Sequence, residues 1–508
     1  MRIAKKIISF MFSRLFLVGF MIVVQLALLA VSIVYFSQSA IYPYLDLAFN
    51  IISFFAVVFV ISNNENPSYK LTWVIAILLF PLTGGAFYLL MGNKRMPDKL
   101  RRYTDNNLEN TMSYMPPLET SFDDDHQTQQ SRYIYNSSGY PVWGGTGAEY
   151  YPVGEIMYTR MIRELQGAKH FIFLEYFIVH DGLMWNSIFS ILKQKVREGV
   201  EVRMMYDDLG CISTLPKGYD RIIRQAGINL CVFNPFRPRV SVILNCRDHR
   251  KVCVIDGHTA FCGGINLADE YINQINRHGH WKDTGVMLKG EAVWSFTFMF
   301  LQQWRFGAGE SVSFEAYRGW NLPQPGDGLV QPFGDTPLDK VNVTETAYLN
   351  IISRAVDYVY ITTPYLVIDY EMESALLAAA QCGTDVRIVT PYIYDKWYVH
   401  MLTRSHYERL IRGGVKIYEY TPGFMHGKMF VSDDKVCMVG TCNMDFRSFY
   451  LHFECSVAFY NSSIVGQVKQ DMLDAQEVSR RITLEDTRRI TIPGRMLRAF
   501  LKLFAPLM

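Results

Sequence analysis

A chain of 508 residues is long enough for about three folded units with sizeable cores, which excludes a small scaffold that depends on staples. With 50 Lys and Arg against 48 Asp and Glu, the net charge of +2 excludes nucleic-acid binding by bulk electrostatics, so no nucleic-acid partner is expected. Hydrophobic residues at 50% against 19% charged exclude a disordered chain, and a mean hydropathy of +0.06 is high enough to place part of the apolar mass in lipid.

The charge is unevenly spread. Residues 1–102 carry ten Lys and Arg against Asp46, Glu65 and Asp98, a net +7, which leaves −5 for the rest of the chain. Three apolar stretches, at about 15–36, 41–61 and 71–91, each reach the roughly 20 residues that a bilayer-spanning helix needs. Residues 1–102 are therefore expected to form an amino-terminal transmembrane region in the cell membrane. The first stretch is longer than the ~7–15 apolar residues of a cleaved signal peptide and has no clear small-residue cleavage site. Arg2, Lys5, Lys6 and Arg14 precede the first stretch, and Lys94, Arg95, Lys99, Arg101 and Arg102 follow the third. The bias of basic residues towards the cytoplasm applies to both clusters, and three full crossings cannot satisfy both. Either the amino terminus lies outside, or one stretch turns back at Pro81 with Gly84-Gly85 or around Asp46. The expected topology is multi-pass, with everything after Lys94 in the cytoplasm.

Residues 103–147 are polar, with Asp123-Asp124-Asp125 and scattered Ser, Gly and Pro, and read as a linker. Beyond it the chain repeats. Gly199-Val200-Glu201-Val202-Arg203 returns as Gly383-Thr384-Asp385-Val386-Arg387, and Tyr219-Asp220-Arg221-Ile222-Ile223-Arg224 returns as Tyr407-Glu408-Arg409-Leu410-Ile411-Arg412. Apolar runs such as 171–177 and 359–363 alternate with amphipathic helical segments, so the fold class is α/β: two sandwich halves, 148–320 and 321–480, paired about a pseudo-twofold axis. Residues 481–508 form an amphipathic segment in which Arg495, Arg498 and Lys502 flank Met496, Leu497, Phe500, Leu501, Phe504 and Leu507. Lying on anionic lipid and packing on the domain both fit that pattern. The nine cysteines are odd in number and have no C-x-x-C spacing, and are expected to be reduced and mostly buried.

The repeat extends to chemistry. His249-Arg250-Lys251 with Asp256, and His426-Gly427-Lys428 with Asp433, both obey H-x-K-x4-D, followed by Gly263-Gly264-Ile265-Asn266 and Gly440-Thr441-Cys442-Asn443. On a strand, side chains at i and i+2 share a face, so His and Lys point together into a cleft and each half supplies half a site. One imidazole can attack phosphorus to give a phosphohistidine while the other protonates the leaving alkoxide and later deprotonates the acceptor. Lys251 and Lys428, with Asn266 and Asn443, would surround the non-bridging oxygens, a role that calls for no metal or cofactor. Asp283 and Glu454, in matching places after Trp281-Lys282 and His452-Phe453, are candidates to orient the imidazoles. Asp256 and Asp433 are counted with the catalytic set, with a structural hydrogen-bonding role at the turn as the alternative.

These motifs resemble the phospholipase D superfamily, and within it the bacterial cardiolipin synthases. The resemblance extends over nearly the whole chain and includes Leu174-Glu175-Tyr176-Phe177, Tyr206-Asp207-Asp208-Leu209-Gly210, Gly263 to Tyr271, Trp281-Lys282-Asp283-Thr284, Asn443-Met444-Asp445-Phe446-Arg447-Ser448, and the entry segments Pro67-Ser68-Tyr69-Lys70 and Phe80-Pro81-Leu82-Thr83-Gly84. It implies phosphatidyl transfer from one phosphatidylglycerol to another, giving cardiolipin and glycerol, at an anionic membrane, with His249 as nucleophile and His426 as acid and base. Thr363 to Asp369 and His452 depart from the commoner family residues. A phospholipase D, a phosphatidyltransferase using phosphatidylethanolamine and, more remotely, an inactive membrane scaffold that binds anionic lipid are the competing readings. The sequence is silent on oligomeric state.

Overall fold

The computed structural model describes residues 42–64, 66–80, 113–118, 122–235, 246–318, 322–338 and 341–507, with the isolated residues 24, 27, 31 and 88. The chain divides into two compact units, one of residues 1–95 with 239–242, the other of residues 96–238 and 243–508.

In the first unit, helices Tyr42–Ser62 and Pro67–Leu79 pack on each other. The second starts where Asn66 accepts a hydrogen bond from Ser68 N at 2.9 Å and Pro67 fills a position that needs no N–H. Helix Tyr42–Ser62 leaves Leu47, Ile52, Phe54, Phe55 and Ile61 exposed. Among the described residues no helix is long and apolar enough to cross a membrane. The expected stretch 15–36 lies outside the described residues apart from three isolated positions, as do the flanking basic clusters.

The second unit contains two sheets. The first half supplies β1 (Thr146–Tyr151), β2 (Phe171–Tyr176), β3 (Glu201–Asp207), β4 (Asn229–Phe233), β5 (Arg247–Asp248), β6 (Lys251–Ile255), β7 (Thr259–Gly263), β8 (His280–Lys282) and β9 (Gly285–Gly290). The second supplies β10 (Leu329–Asp335), β11 (Tyr358–Thr362), β12 (Leu366–Val367), β13 (Asp385–Pro391), β14 (Lys416–Tyr420), β15 (Gly423–Met425), β16 (Met429–Ser432), β17 (Val436–Gly440), β18 (Met444–Asp445), β19 (His452–Tyr460) and β20 (Ser479–Arg481). The strand orders are β1-β9-β7-β6-β2-β3-β4 and β10-β19-β17-β16-β11-β13-β14-β20. Matching neighbours pair in the same sense: β2–β3–β4 and β11–β13–β14 are parallel, the remaining shared pairs antiparallel.

Central strands such as β2, β6 and β11 are buried along their whole length, which is why they read as continuous apolar runs rather than alternating ones. Helix Val293–Ala308 packs on the first sheet and reaches β10, while its counterpart Ser463–Glu477 packs on the second sheet and reaches β1, so each closes over both halves. One hydrophobic cluster runs through the two halves, from Phe171 to Ile482. The halves touch closely where Cys262 Sγ of β7 lies 3.6 Å from Cys455 Sγ of β19. All nine cysteines are free, and seven are buried.

The polar stretch before the first half is not simply a linker. Helix Asp125–Ser138 is capped by Asp124, which accepts from His126 N and Gln127 N, and ends at Gly139 with a left-handed φ of 76°. It buries Gln127, Gln130, Ser131 and Ile134, and Gln130 Nε2 donates to Ala347 O at 3.2 Å. Its polar buried face hides the periodicity that an apolar stripe would have shown.

Phe300 is fully buried and stacks on Phe173 with ring centroids 4.6 Å apart. Phe300→Ala is expected to lower unfolding stability by about 3–5 kcal/mol, measured by urea denaturation.

Candidate active site

Two short parallel strand pairs join the halves, and they are reciprocal. β5 lies beside the start of β19 with Arg247 opposite His452 and Asp248 opposite Phe453, and β15 lies beside β8 with Phe424 opposite Trp281 and Met425 opposite Lys282. In motif coordinates the two registers are identical. His249 N then donates to Phe453 O at 3.0 Å, and His426 N donates to Lys282 O at 2.7 Å. Each histidine is thereby delivered to the residue that follows on the other half's strand. His249 Nδ1 lies 2.9 and 3.0 Å from the Glu454 carboxylate oxygens, and His426 Nδ1 lies 2.5 Å from Asp283 Oδ2. The structure pairs each imidazole with the carboxylate of the opposite half.

Both lysines fold back onto their own motif: Lys251 Nζ donates to His249 O, and Lys428 Nζ donates to His426 O at 2.5 Å and lies 2.8 Å from His426 Nδ1. The cluster is buried, and burial dominates its proton chemistry. His249 is pushed well below its ordinary value by burial, then by Lys251, His452, Lys428 and His426, while His426 is pushed down to about 4 by burial and Lys428 against the pull of Asp283. Each imidazole is lowered in part by the lysine of the other half, so the two motifs lie within reach of each other's charge. Burial lowers Lys251 to about 8 against Glu454, and Lys428 to about 7 against Asp283. Burial raises Glu454, opposed by Lys251 and by the Thr441 hydroxyl, which donates to Oε2.

The remaining predicted residues divide. Asn443 Oδ1 is buried without a hydrogen bond among the described residues, whereas Asn266 is engaged within its own half: Oδ1 accepts from Ile178 N at 2.9 Å and Nδ2 donates to Tyr271 Oη at 2.7 Å. Asp256 and Asp433 do not join the site. Asp256 accepts from the backbone N–H groups of Lys169, His170 and Phe171 at 2.7–2.9 Å, and Asp433 from Val356, Asp357 and Tyr358 at 2.8–3.0 Å. Both adopt left-handed φ, 53° and 52°, at the far end of β6 and β16. Seven residues of extended chain, about 23 Å, separate each from its histidine along the strand. They are structural clamps on the entry to β2 and β11, and this corrects their placement in the catalytic set.

Three features were not read from the sequence. His452 packs on His249 with ring centroids 5.1 Å apart and its Nδ1 3.5 Å from Glu454 Oε1, while Trp281, the matching residue, packs on His426 at 5.2 Å. The position two residues before each orienting acid thus supplies a ring to the opposite imidazole, a signal present once the two segments are aligned. His249, His452 and Glu454 are also the one group among the described residues whose donor atoms, within 4.8 Å of one another, would suit a metal ion, although the Lys251 ammonium already supplies positive charge beside Glu454. Finally, a Cβ on Gly264 would fall 2.0 Å from Asp283 Oδ1, so this turn must be glycine for Asp283 to reach His426.

Because Asp256 holds three backbone amides, Asp256→Ala is expected to cost about 1–3 kcal/mol of stability in a denaturant melt. Its turnover per folded molecule should stay within about threefold of the parent, where loss of a catalytic acid or base would cost about 10² or more.

Comparison with known proteins agrees with this architecture. The family described as cardiolipin synthase, PLD-like domain, matches residues 161–280 and 348–475, and the phospholipase D-nuclease N-terminal family matches 51–93. A protein of Streptococcus mutans is 42% identical over 89% of this chain and 99% of its own length. A cardiolipin synthase of Alkalihalophilus pseudofirmus is 32% identical over 93% of this chain and 95% of its own length, and cardiolipin synthase 2 of Bacillus cereus is 34% identical over 88% of each. The crystal structure of phosphatidylserine synthase from Haemophilus influenzae shares the fold, with a TM-score of 0.57 at 14% identity over 75% of this chain and 97% of that one. Identity above 30% along nearly the full length, on a scaffold whose two halves trade histidines and carboxylates, places the chain in the cardiolipin synthase family of the phospholipase D superfamily.

Proposed function

We propose that the protein makes cardiolipin by transferring the phosphatidyl group of one phosphatidylglycerol to another and releasing glycerol. The observation that carries this reading is the reciprocal histidine–carboxylate pairing across the halves, which gives one buried site two imidazoles with separate duties. His249 Nδ1 faces the Glu454 carboxylate, so the proton of that pair sits between them and Nε2 keeps its lone pair for attack on phosphorus. As the N–P bond forms, the bond from phosphorus to the glycerol oxygen breaks and His426 gives that oxygen a proton. In the second step neutral His426 takes the proton of the acceptor's glycerol hydroxyl, the new O–P bond forms and the N–P bond breaks.

The assignment of the two roles rests on the family resemblance and on the partners of each imidazole. Burial lowers both imidazoles, and Asp283 pulls His426 back up, which suits the group that has to hold a proton. The incoming phosphodiester anion raises both imidazoles, so His426 acquires its proton when substrate arrives. The Lys251 and Lys428 ammonium groups stabilise charge on the non-bridging oxygens. Phe177 and His452 wall His249, and Tyr271, Trp281 and Phe424 wall His426, which favours a lipid hydroxyl over water. The exposed apolar side chains of helix Tyr42–Ser62 support a multi-pass anchor in the cell membrane, and Lys94 to Arg102 support a cytoplasmic catalytic unit.

Purified protein in phosphatidylglycerol vesicles is expected to release glycerol and form cardiolipin, identified by mass spectrometry, with chelator present. His249→Ala and His426→Ala should each lower the rate by about 10³-fold or more. Phosphatidic acid as the main product would replace transfer by hydrolysis, and loss of activity on chelation would overturn the metal-free scheme.

The lysines set the alkaline limb. Their ammonium groups lose a proton as pH rises through about 7 for Lys428 and about 8 for Lys251, and a bound anion moves both values up. Accordingly kcat/KM, which reports the free enzyme, should fall from about pH 7 upward, while the limb in kcat lies at higher pH. A kcat/KM that stays flat through this range would remove the ammonium groups from the mechanism.

A further inference from the structure

The carboxy-terminal helix Ile492–Phe504 has three distinct faces. Leu501 is buried and, with Ala505 just beyond the helix, packs against Val367, Leu402 and Phe446, which ties the helix to the catalytic unit. On another side Ile492, Met496 and Phe500, spaced four apart, are 74%, 69% and 57% exposed. The third face carries Arg495, Arg498 and Lys502, which with Arg404, Arg488 and Glu408 line a cleft of about 370 Å³.

That cleft is short of negative charge. Arg404 is neutralised by Glu419, with bonds of 2.7 and 2.6 Å, and Glu408 is paired with Arg412 at 2.8 Å. From Arg488 to the end of the chain there are five basic residues and no acidic one. Arg498 Nε is buried without a hydrogen bond among the described residues, and burial together with Arg404 holds the guanidinium below its usual range. Cations gathered at the edge of an exposed apolar stripe match the layered chemistry of an anionic bilayer, phosphates outside and acyl chains beneath.

A second exposed apolar element leads into the helix on which the first one packs. Helix Ile492–Phe504 packs on helix Trp397–Arg412, and the loop leading into the latter exposes Tyr392, Ile393, Tyr394 and Trp397. Ile393 N donates to Gly423 O at 3.4 Å, the first residue of β15, the strand that delivers His426. Asp395 in the same loop accepts from Tyr365 Oη at 2.5 Å and lies close enough to His426 to be influenced by its charge.

We infer that helix Ile492–Phe504 and the loop Tyr392–Trp397 form a docking surface for an anionic bilayer, on which Ile492, Met496, Phe500 and Trp397 enter the acyl boundary while Arg488, Arg495, Arg498 and Lys502 meet lipid phosphates. The surface turns the β15 side of the site towards lipid. Only this last consequence rests on the function proposed above, because docking itself is read without turnover.

The test uses the full chain bound to vesicles whose lipids carry a photoactivatable carbene precursor on the acyl chain, with labelled peptides mapped by mass spectrometry. One set is phosphatidylcholine alone, and the other contains about one-third phosphatidylglycerol. Residues 491–508 and 392–397 should be labelled in the anionic vesicles, and each basic residue neutralised in Arg495→Gln, Arg498→Gln or Lys502→Gln should lower that labelling by about fivefold. Phe500→Gln, at an exposed position, should lower it without altering the circular dichroism melt. Absence of label from 491–508 in anionic vesicles, or labelling unaffected by the three Gln substitutions, would overturn the docking surface. Label in residues 42–62 reports the amino-terminal anchor separately, so failure of either element is distinguishable from failure of the other.

Discussion

The exchange of carboxylates between halves is the constraint on which the site depends. A buried imidazole beside a carboxylate is stable only while both partners are present, because removing one leaves an unsatisfied group away from water. Here the partners sit on different halves, His249 with Glu454 and His426 with Asp283, so neither half completes a reactive histidine by itself. The strand pairs β5–β19 and β15–β8 are two residues long in one case and three in the other, yet they place both histidines beside their carboxylates. The wide core beneath them, shared by both sheets and by the helices that reach across, makes such short pairings sufficient.

Symmetry in the backbone is broken by side chains. Between His and Lys the first motif has Arg250, whose guanidinium donates to Glu454 O at 3.1 Å and to Asp335 O at 3.3 Å and lies 3.5 Å from Glu175, linking the two halves beneath His249. The second has Gly427, where a side-chain carbon would meet Thr284 Oγ1 at 3.2 Å. Burial raises Glu175 to about 7 even beside Arg250, so the first histidine rests on a polar buried network. The second rests on aromatic packing from Trp281, Phe424 and Tyr271. Two half-sites alike in backbone thus have unequal electrostatic surroundings, which is what the proposed division of roles between the two imidazoles requires.

A membrane setting suits this chemistry because both substrates are lipids. Holding donor and acceptor in one surface raises their effective concentration, and aromatic rings beside both imidazoles make their surroundings apolar. The exposed apolar helix Tyr42–Ser62 and the basic, amphipathic helix Ile492–Phe504 are the two elements whose surfaces suit such a setting.

Much of this was legible before any fold was known. The repeated H-x-K spacing and the matched acids named the groups that the structure brings together as histidine–carboxylate pairs, since the strand period puts His and Lys on one face. Alternation of apolar runs with amphipathic segments fixed the class and the duplication. Spacing alone did not separate a residue conserved in pattern for turn geometry from one that touches substrate: Asp256 and Asp433 carry the motif's last letter but hold backbone amides at the far strand ends. Nor did it find helix Asp125–Ser138, whose buried face is polar. The pairing of His249 with Glu454 and of His426 with Asp283, residues 205 and 143 positions apart, was decided by how the halves meet. Local sequence dictates which groups a strand presents, whereas a contact between distant strands exists only once the shared core has brought their edges together.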